Sequence, residues 1–298
     1  MEGFRVIEKL DDGASSVRKT LIEYNNKKCL LREYDKRFMT DRYKSFENAV
    51  YIHENGINVP KIYEYGNGYS IIEWIDGVSL DKLLTNEKDS IKYAKLVSNE
   101  LLRMHSIKPK ESMDLYSKYI QSLNKKINRI NSLLPHIDLK KLDSYARSNL
   151  SVLKGLKSSI VHGDFHPGNI IMSGDKPYMI DLDVCKQSSG IYDLASASVI
   201  ENYPAFYYNL INNYFNGQIP DDFWKVFNLY SIIYILDYIF YSYRTDGRSV
   251  SDSEKLLDGF LVGNRDFKEE IPDWYRREKN YERIKKIWRR KSYINGLF

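Results

Sequence analysis

Two short stretches hold the side chains with the clearest chemistry. In His162-Gly163-Asp164-Phe165-His166-Pro167-Gly168-Asn169 an aspartate is followed five residues later by an asparagine, and in Ile180-Asp181-Leu182-Asp183 two carboxylates alternate. A D-x-x-x-x-N spacing lets the aspartate orient a hydroxyl and accept its proton while the asparagine turns its amide oxygen toward a metal. A further aspartate supplies the hard oxygen that Mg²⁺ bridging two phosphates requires. The set therefore points to phosphoryl transfer, with Asp164 as catalytic carboxylate, Asn169 and Asp181 as metal ligands, and Pro167 and Gly168 shaping the bend between them. Asp183 ranks behind them as a second ligand or a buried acceptor. His162 and His166 are expected to pack and make structural hydrogen bonds. A metal-dependent hydrolase using Asp164, His162, His166 and Asp181 is the competing chemistry, but it leaves the N-terminal strands without a purpose.

Those strands are the first elements needed to position the site. Val6 to Leu10, Val17 to Tyr24 and Cys29 to Tyr34 read as an antiparallel meander, broken by Asp11-Asp12-Gly13 and Asn25-Asn26. Phe46, Ala49, Val50 and His53 then recur on one side of a helix over about 42–55, which Gly56 ends, and Gly66-Asn67-Gly68 joins a second hairpin. Beyond Asp76-Gly77 the period becomes helical, as in Ile91, Ala94, Val97, Leu101, Met104 and in Ile120, Leu123, Ile127, Ile130. The expected fold class is α+β, with residues 1–75 as a small antiparallel sheet plus one helix and residues 76–298 as a larger, mainly helical part. Ser159 to His162 and Tyr178 to Asp181 are short strands that carry the active groups at their ends. Val226 to Tyr243 is the most apolar run, but Asn228, Ser231 and Asp237 interrupt it, so it reads as a buried helix rather than a membrane span.

A chain of 298 residues with 43% hydrophobic content and mixed charge can build a sizeable core and is not disordered. The net charge of +5 is modest and comes largely from the C-terminal tail, which argues against nucleic acid as a partner. Two cysteines, Cys29 and Cys185, sit in no zinc or C-x-x-C spacing, and no apolar leader follows Met1. A reducing, cytoplasmic location is the expectation.

The two loop motifs, together with Tyr192-Asp193-Leu194-Ala195, resemble the signature of the aminoglycoside phosphotransferase and choline kinase family. Leu101-Leu102-Arg103-Met104-His105 is similar to that family's helix ending in Leu-His, and Val59-Pro60 to its Val-Pro after the first helix. The resemblance implies a two-lobed, protein-kinase-like fold with Mg²⁺ and a nucleoside triphosphate, ATP by default and GTP in competition, between the lobes. It places a small-molecule acceptor on the helical lobe. Asp12-Gly13-Ala14-Ser15-Ser16 falls where the family has its nucleotide loop, so Ser15 and Ser16 become phosphate contacts, although no G-x-G-x-x-G run is present. Arg32 stands where the family has a phosphate-binding lysine, and Glu47 on the following helix is expected to pair with it. Glu73, Trp74 and Ile75 form the stretch that holds the purine. Asp193 is read as structural, accepting backbone hydrogen bonds around the catalytic loop.

The acceptor is read from the segment Glu201 to Phe260, where eight acids face four basic residues among many tyrosines. Such a surface suits a cationic acceptor, an aminoglycoside or choline, with Glu201 and Asp237 as its contacts. Asp237 stands out because a carboxylate amid Ile235, Leu236, Tyr238 and Ile239 needs a partner if buried. The expected function is thus an aminoglycoside-type phosphotransferase acting on a hydroxyl, a role in antibiotic resistance included. Kinases of choline, homoserine or a sugar are alternatives, as is a nucleotide-binding module without turnover, which Arg32 in place of lysine would suit. The tail from Asn264 to Phe298 mixes acids with basic runs around Trp274 and Trp288. It reads as a salt-bridged helix closing the helical part rather than a membrane or nucleic-acid arm.

Overall fold

The structure, a computed structural model, describes residues 3–10, 17–34, 39–198, 203–245 and 250–281. Its contacts divide the chain into two compact units. One comprises Met1–Thr85, Asn99–Lys110 and Ser159–Ser188, the other Asn86–Ser98, Glu111–Ser158 and Ser189–Phe298. This differs from a single break at 75/76, because the segment carrying both loop motifs packs with the N-terminal sheet.

The first unit is built on an antiparallel sheet of β1 (Phe4–Leu10), β2 (Arg18–Tyr24), β3 (Lys27–Glu33), β4 (Ile62–Gly66) and β5 (Tyr69–Glu73), ordered β1-β2-β3-β5-β4. Asn25 and Asn26 both take positive φ, 50° and 59°, as a two-residue hairpin turn demands, and Asn tolerates that region better than most residues. The turn fixes the register, pairing Tyr24 with Lys27 and, counting back, Lys19 with Arg32. On one face Ile22, Cys29, Leu31 and Ile71 form a cluster packed by Phe4, Tyr24, Tyr63 and Tyr69. Helix α1 (Met39–Glu54) turns Phe46 and Ala49 inward, and Phe46 packs with Val17, Tyr34 and Ile62.

The strands of the motif segment are short. β6 (Val78–Ser79) joins a hairpin of β8 (Ile170–Ser173) and β9 (Lys176–Met179), while β7 (Ser159–Val161) pairs with β10 (Lys186–Ser188). The segment is tied to α1 and the loop after it by Met179 N–H to Asn58 O at 3.0 Å, and by Ser45 Oγ and Asn48 Nδ2 donating to Cys185 O at 3.4 and 3.3 Å. Around Val59-Pro60, the Asn58 N–H donates to Glu100 Oε1 at 2.6 Å.

After α2 (Leu80–Leu83) and α3 (Glu87–His105), the second unit is helical, with α4 (Leu115–Leu133), α5 (Lys140–Asn149), α6 (Ile191–Ala195), α7 (Pro204–Tyr214), α8 (Phe223–Thr245) and α9 (Val250–Gly263), and is centred on α8, which meets α4, α5, α6 and α9. By length and composition α8 could cross a membrane, yet Phe227, Leu229, Ile232, Leu236 and Ile239 are fully buried in this unit. Its polar interruptions find internal partners. Ser231 Oγ donates to Phe227 O at 2.9 Å, Asn228 Nδ2 to Glu270 O at 2.9 Å, and Leu229 O accepts the Tyr119 hydroxyl at 2.7 Å. Asp193 is fully buried in α6. Of the C-terminal tail, the described part packs on the helices: Tyr275 is buried against Trp224, with ring centroids 4.6 Å apart, and Arg265 pairs with Glu269. The basic run 285–291 lies outside the described residues.

Candidate active site

The first loop leaves β7 at His162, and its far end runs from Asn169 straight into the β8–β9 hairpin. That hairpin returns at Met179, so Asn169 and Asp181 flank its open end, and Ile180 N–H donates to Asn169 O at 2.9 Å. His162 closes the other side. It is fully buried, with Nε2 bonded to Ile180 O at 2.7 Å and Nδ1 accepting the Asp164 N–H at 3.3 Å, a packing role of the kind its sequence context suggests. Gly163 takes φ +87°, and a Cβ there would meet Val184 O at 2.4 Å, so the loop passes the second motif where no larger residue fits. Gly163→Ala should cost on the order of 2 kcal/mol and displace Asp164, measurable by chemical denaturation alongside activity.

This packing leaves the Asp164 side chain 56% exposed, with Asn169 beside it. Asn169 Nδ2 donates to the Asp164 carbonyl at 2.9 Å and to its Oδ2 at 3.2 Å, which orients the carboxylate and directs the amide oxygen elsewhere. His166 Nδ1 accepts the Gly168 N–H at 3.1 Å, and its Nε2 lies 3.9 Å from Asp164 Oδ2. Burial first, and His162 with it, lowers the His166 pKa against the opposing pull of Asp164, Asp181 and Asp81, which favours the neutral ring that this accepting nitrogen needs.

Asp181 sits at φ 62°, a left-handed conformation that short polar side chains tolerate. Arg32 reaches it from β3: Nη2 donates to Asp181 Oδ1 at 2.9 Å and to Asp183 Oδ2 at 2.8 Å, and Nη1 to Asp183 Oδ1 at 2.8 Å. Arg42 at the start of α1 also holds Asp183 Oδ2. Both guanidinium groups lie over the Tyr34 ring, at 5.2 and 4.3 Å. Burial pushes the Asp181 carboxyl up, but the charge and hydrogen bond of Arg32, with lesser help from Lys19 and His162, hold it below the usual carboxylate range. It is ionised, and 35% of its side chain remains exposed.

Among the described residues no group of three or more His, Cys, Asp or Glu side chains could hold a metal. The two oxygen donors of Asp181 and Asn169 fit a different case, a Mg²⁺ that takes its other ligands from water and a triphosphate. All-oxygen chemistry and an ionised Asp181 match that ion.

The expected pairing of Glu47 with Arg32 does not occur. Glu47 lies on the exposed side of α1, one residue out of phase with Phe46, and Asp183 takes the place expected of it. In the stretch expected to hold a purine, Glu73 Oε2 accepts the Lys61 N–H at 3.1 Å, and Trp74 Nε1 donates to Asp76 Oδ1 at 2.9 Å. Ile75 is buried and, among the described residues, its N–H has no backbone partner.

Ser15, Ser16 and Glu201 lie outside the described residues. Asp237, in the second unit, is 43% exposed and paired with Lys126 of α4, so it is not the lone buried carboxylate that the apolar run suggests. Any cation would have to displace that lysine. Asp237→Asn should therefore change KM for a cationic acceptor less than about threefold, checked by steady-state kinetics. Of the tyrosines in this segment, Tyr207 and Tyr230 are core residues, whereas Tyr241 is exposed.

Sheet, helices and a loop bearing Asp164 and Asn169 beside Asp181 constitute a kinase-like phosphotransferase fold. The sequence model of the phosphotransferase enzyme family (APH) matches residues 6–222, and the chain belongs to that family. Among solved structures, the gentamicin complex of APH(2")-IIa is 16% identical with a TM-score of 0.64, covering 88% of this chain and 91% of its own. The streptomycin–ATP ternary complex of the same enzyme is 15% identical, TM-score 0.61, covering 86% and 92%. Choline kinase LicA from Streptococcus pneumoniae is 15% identical, TM-score 0.63, covering 87% and 94%. No curated protein sequence matches the chain.

Proposed function

We propose that this chain transfers the γ-phosphate of a nucleoside triphosphate, ATP by default, to a hydroxyl of a small molecule, most closely in the manner of an aminoglycoside phosphotransferase. The observation that carries the reading is the exposed Asp164 carboxylate, oriented by Asn169 on a loop stitched to Asp181. Asp164 would hydrogen-bond the acceptor hydroxyl and take its proton as the oxygen bonds to the γ-phosphorus and the β–γ bridging bond breaks, releasing the nucleoside diphosphate. Asp181 and Asn169 would hold Mg²⁺, which when bound neutralises charge on the phosphates. The backbone of Ile75 would meet the purine. Support for an aminoglycoside or choline acceptor comes from the names of the structural neighbours, and Cys29 and Cys185, both buried and in no disulfide among the described residues, agree with a cytoplasmic setting.

The competing reading is a nucleotide-binding module without turnover, favoured by Arg32 holding Asp181. A phosphate-transfer screen over aminoglycosides, choline, homoserine and simple sugars, with ATP and with GTP, separates the two. Phosphorylated product from any acceptor supports the enzyme. Nucleotide binding with no product, unaltered by Arg32→Lys, supports the module.

A further inference from the structure

Arg32 occupies the family's phosphate-lysine position, but its donors are committed elsewhere. Of the five N–H groups of a guanidinium, three go to the carboxylates of Asp181 and Asp183, and Nε is sealed from solvent without a partner. The residue is 5% exposed. To reach a phosphate it would have to leave both carboxylates and its buried seat against Tyr34.

The register of the first hairpin offers another cation. Lys19 on β2 lies directly opposite Arg32 on β3, so the two side chains leave the same face of the sheet with Cβ atoms about 5 Å apart. That face is the one on which Arg32 meets Asp181. Lys28, also on it, is tied to Asp76 at 3.3 Å. Arg18, the neighbour of Lys19, pairs with Glu33 at 3.8 Å on the opposite face. Lys19 is half-buried and, among the described residues, makes no ion pair. It comes three residues after Ser16, the end of the segment where the resemblance places the nucleotide loop. An ammonium on a flexible four-carbon stem is a mobile point charge suited to phosphate oxygens, whereas a guanidinium locked in a bidentate fork is suited to holding carboxylates.

We propose that Lys19, not Arg32, is the cation that contacts the triphosphate, and that Arg32 is a positioning residue that fixes Asp181 through its shared grip on Asp183. This rests on the kinase reading given above and divides between two residues what one lysine is expected to do.

Calorimetric titration of the full-length protein with Mg-ATP, adenosine and inorganic tripolyphosphate tests it. Lys19→Met should weaken Mg-ATP and tripolyphosphate by about tenfold or more, leave adenosine unchanged and leave the melting temperature near that of wild type. Lys19→Arg should recover most of the loss. Arg32→Gln should instead lower the melting temperature and weaken Mg-ATP more than metal-free ATP. Mg-ATP affinity within about twofold of wild type in Lys19→Met would overturn the proposal while leaving the kinase reading intact. A wild-type chain that binds neither ATP nor tripolyphosphate would overturn both.

Discussion

Replacing Asp164 by alanine should lower kcat about a thousandfold while nucleotide affinity and melting temperature stay close to wild type. A positioned general base contributes roughly 10²- to 10⁴-fold, and no other carboxylate stands beside Asn169 on this loop to take over. The stability half of the expectation follows from exposure: at 56% exposed, the Asp164 side chain buries little, and the loop is held by its N–H and carbonyl, which alanine keeps. Steady-state kinetics on whichever acceptor is turned over, paired with nucleotide titration, gives both halves. A loss confined to KM would reassign Asp164 to acceptor binding.

The second large effect is on stability. Arg32→Met should destabilise the fold by about 3 kcal/mol, the lower part of the range for breaking a buried ion pair. The lower value applies because Arg42 stays on Asp183 and Asp181 retains solvent contact. The pH dependence has a definite sign. Although burial raises the Asp181 pKa, Arg32 brings it below the ordinary value, so the stability it contributes is present above about pH 4 and is lost as pH falls through the folded-state pKa. The gap between wild type and Arg32→Met in urea titrations should therefore be widest at neutral pH and narrow in acid. A gap independent of pH would place the effect of Arg32 in packing against Tyr34 rather than in its ion pairs.

Much of this architecture was legible before any coordinates. The Asn25-Asn26 and Asn67-Gly68 turns have sharp chemical signatures, and the strands beside them extend as long as their alternation does. The bend that brings Asn169 back to Asp164 was readable because Gly163 precedes Asp164 and Pro167-Gly168 precede Asn169 in a short span. The pairing of β7 with β10 and of β8 with β9 was not readable, since strands of three or four residues carry no periodicity. Phe46 and Ala49 mark the buried face of α1 and Glu47 falls on the exposed one, and nothing local in the sequence says which side of that helix faces Arg32. The partner that replaced Glu47, Asp183, lies 151 residues from Arg32, a separation beyond any local pattern. Lys19 is different: the two-residue turn fixes its register opposite Arg32, so its place beside the site could have been counted from the sequence. The exposure of Asp237 depended on Lys126 of another helix, which its own apolar neighbours do not reveal.

A crystal structure of the protein with a non-hydrolysable ATP analogue and Mg²⁺ tests the phosphotransfer site most directly. The expected result is a metal bound by Asn169 and Asp181 against the phosphates, with the Asp164 carboxylate facing the γ-phosphate. A triphosphate bound away from this loop, or a metal touching neither Asn169 nor Asp181, would contradict it.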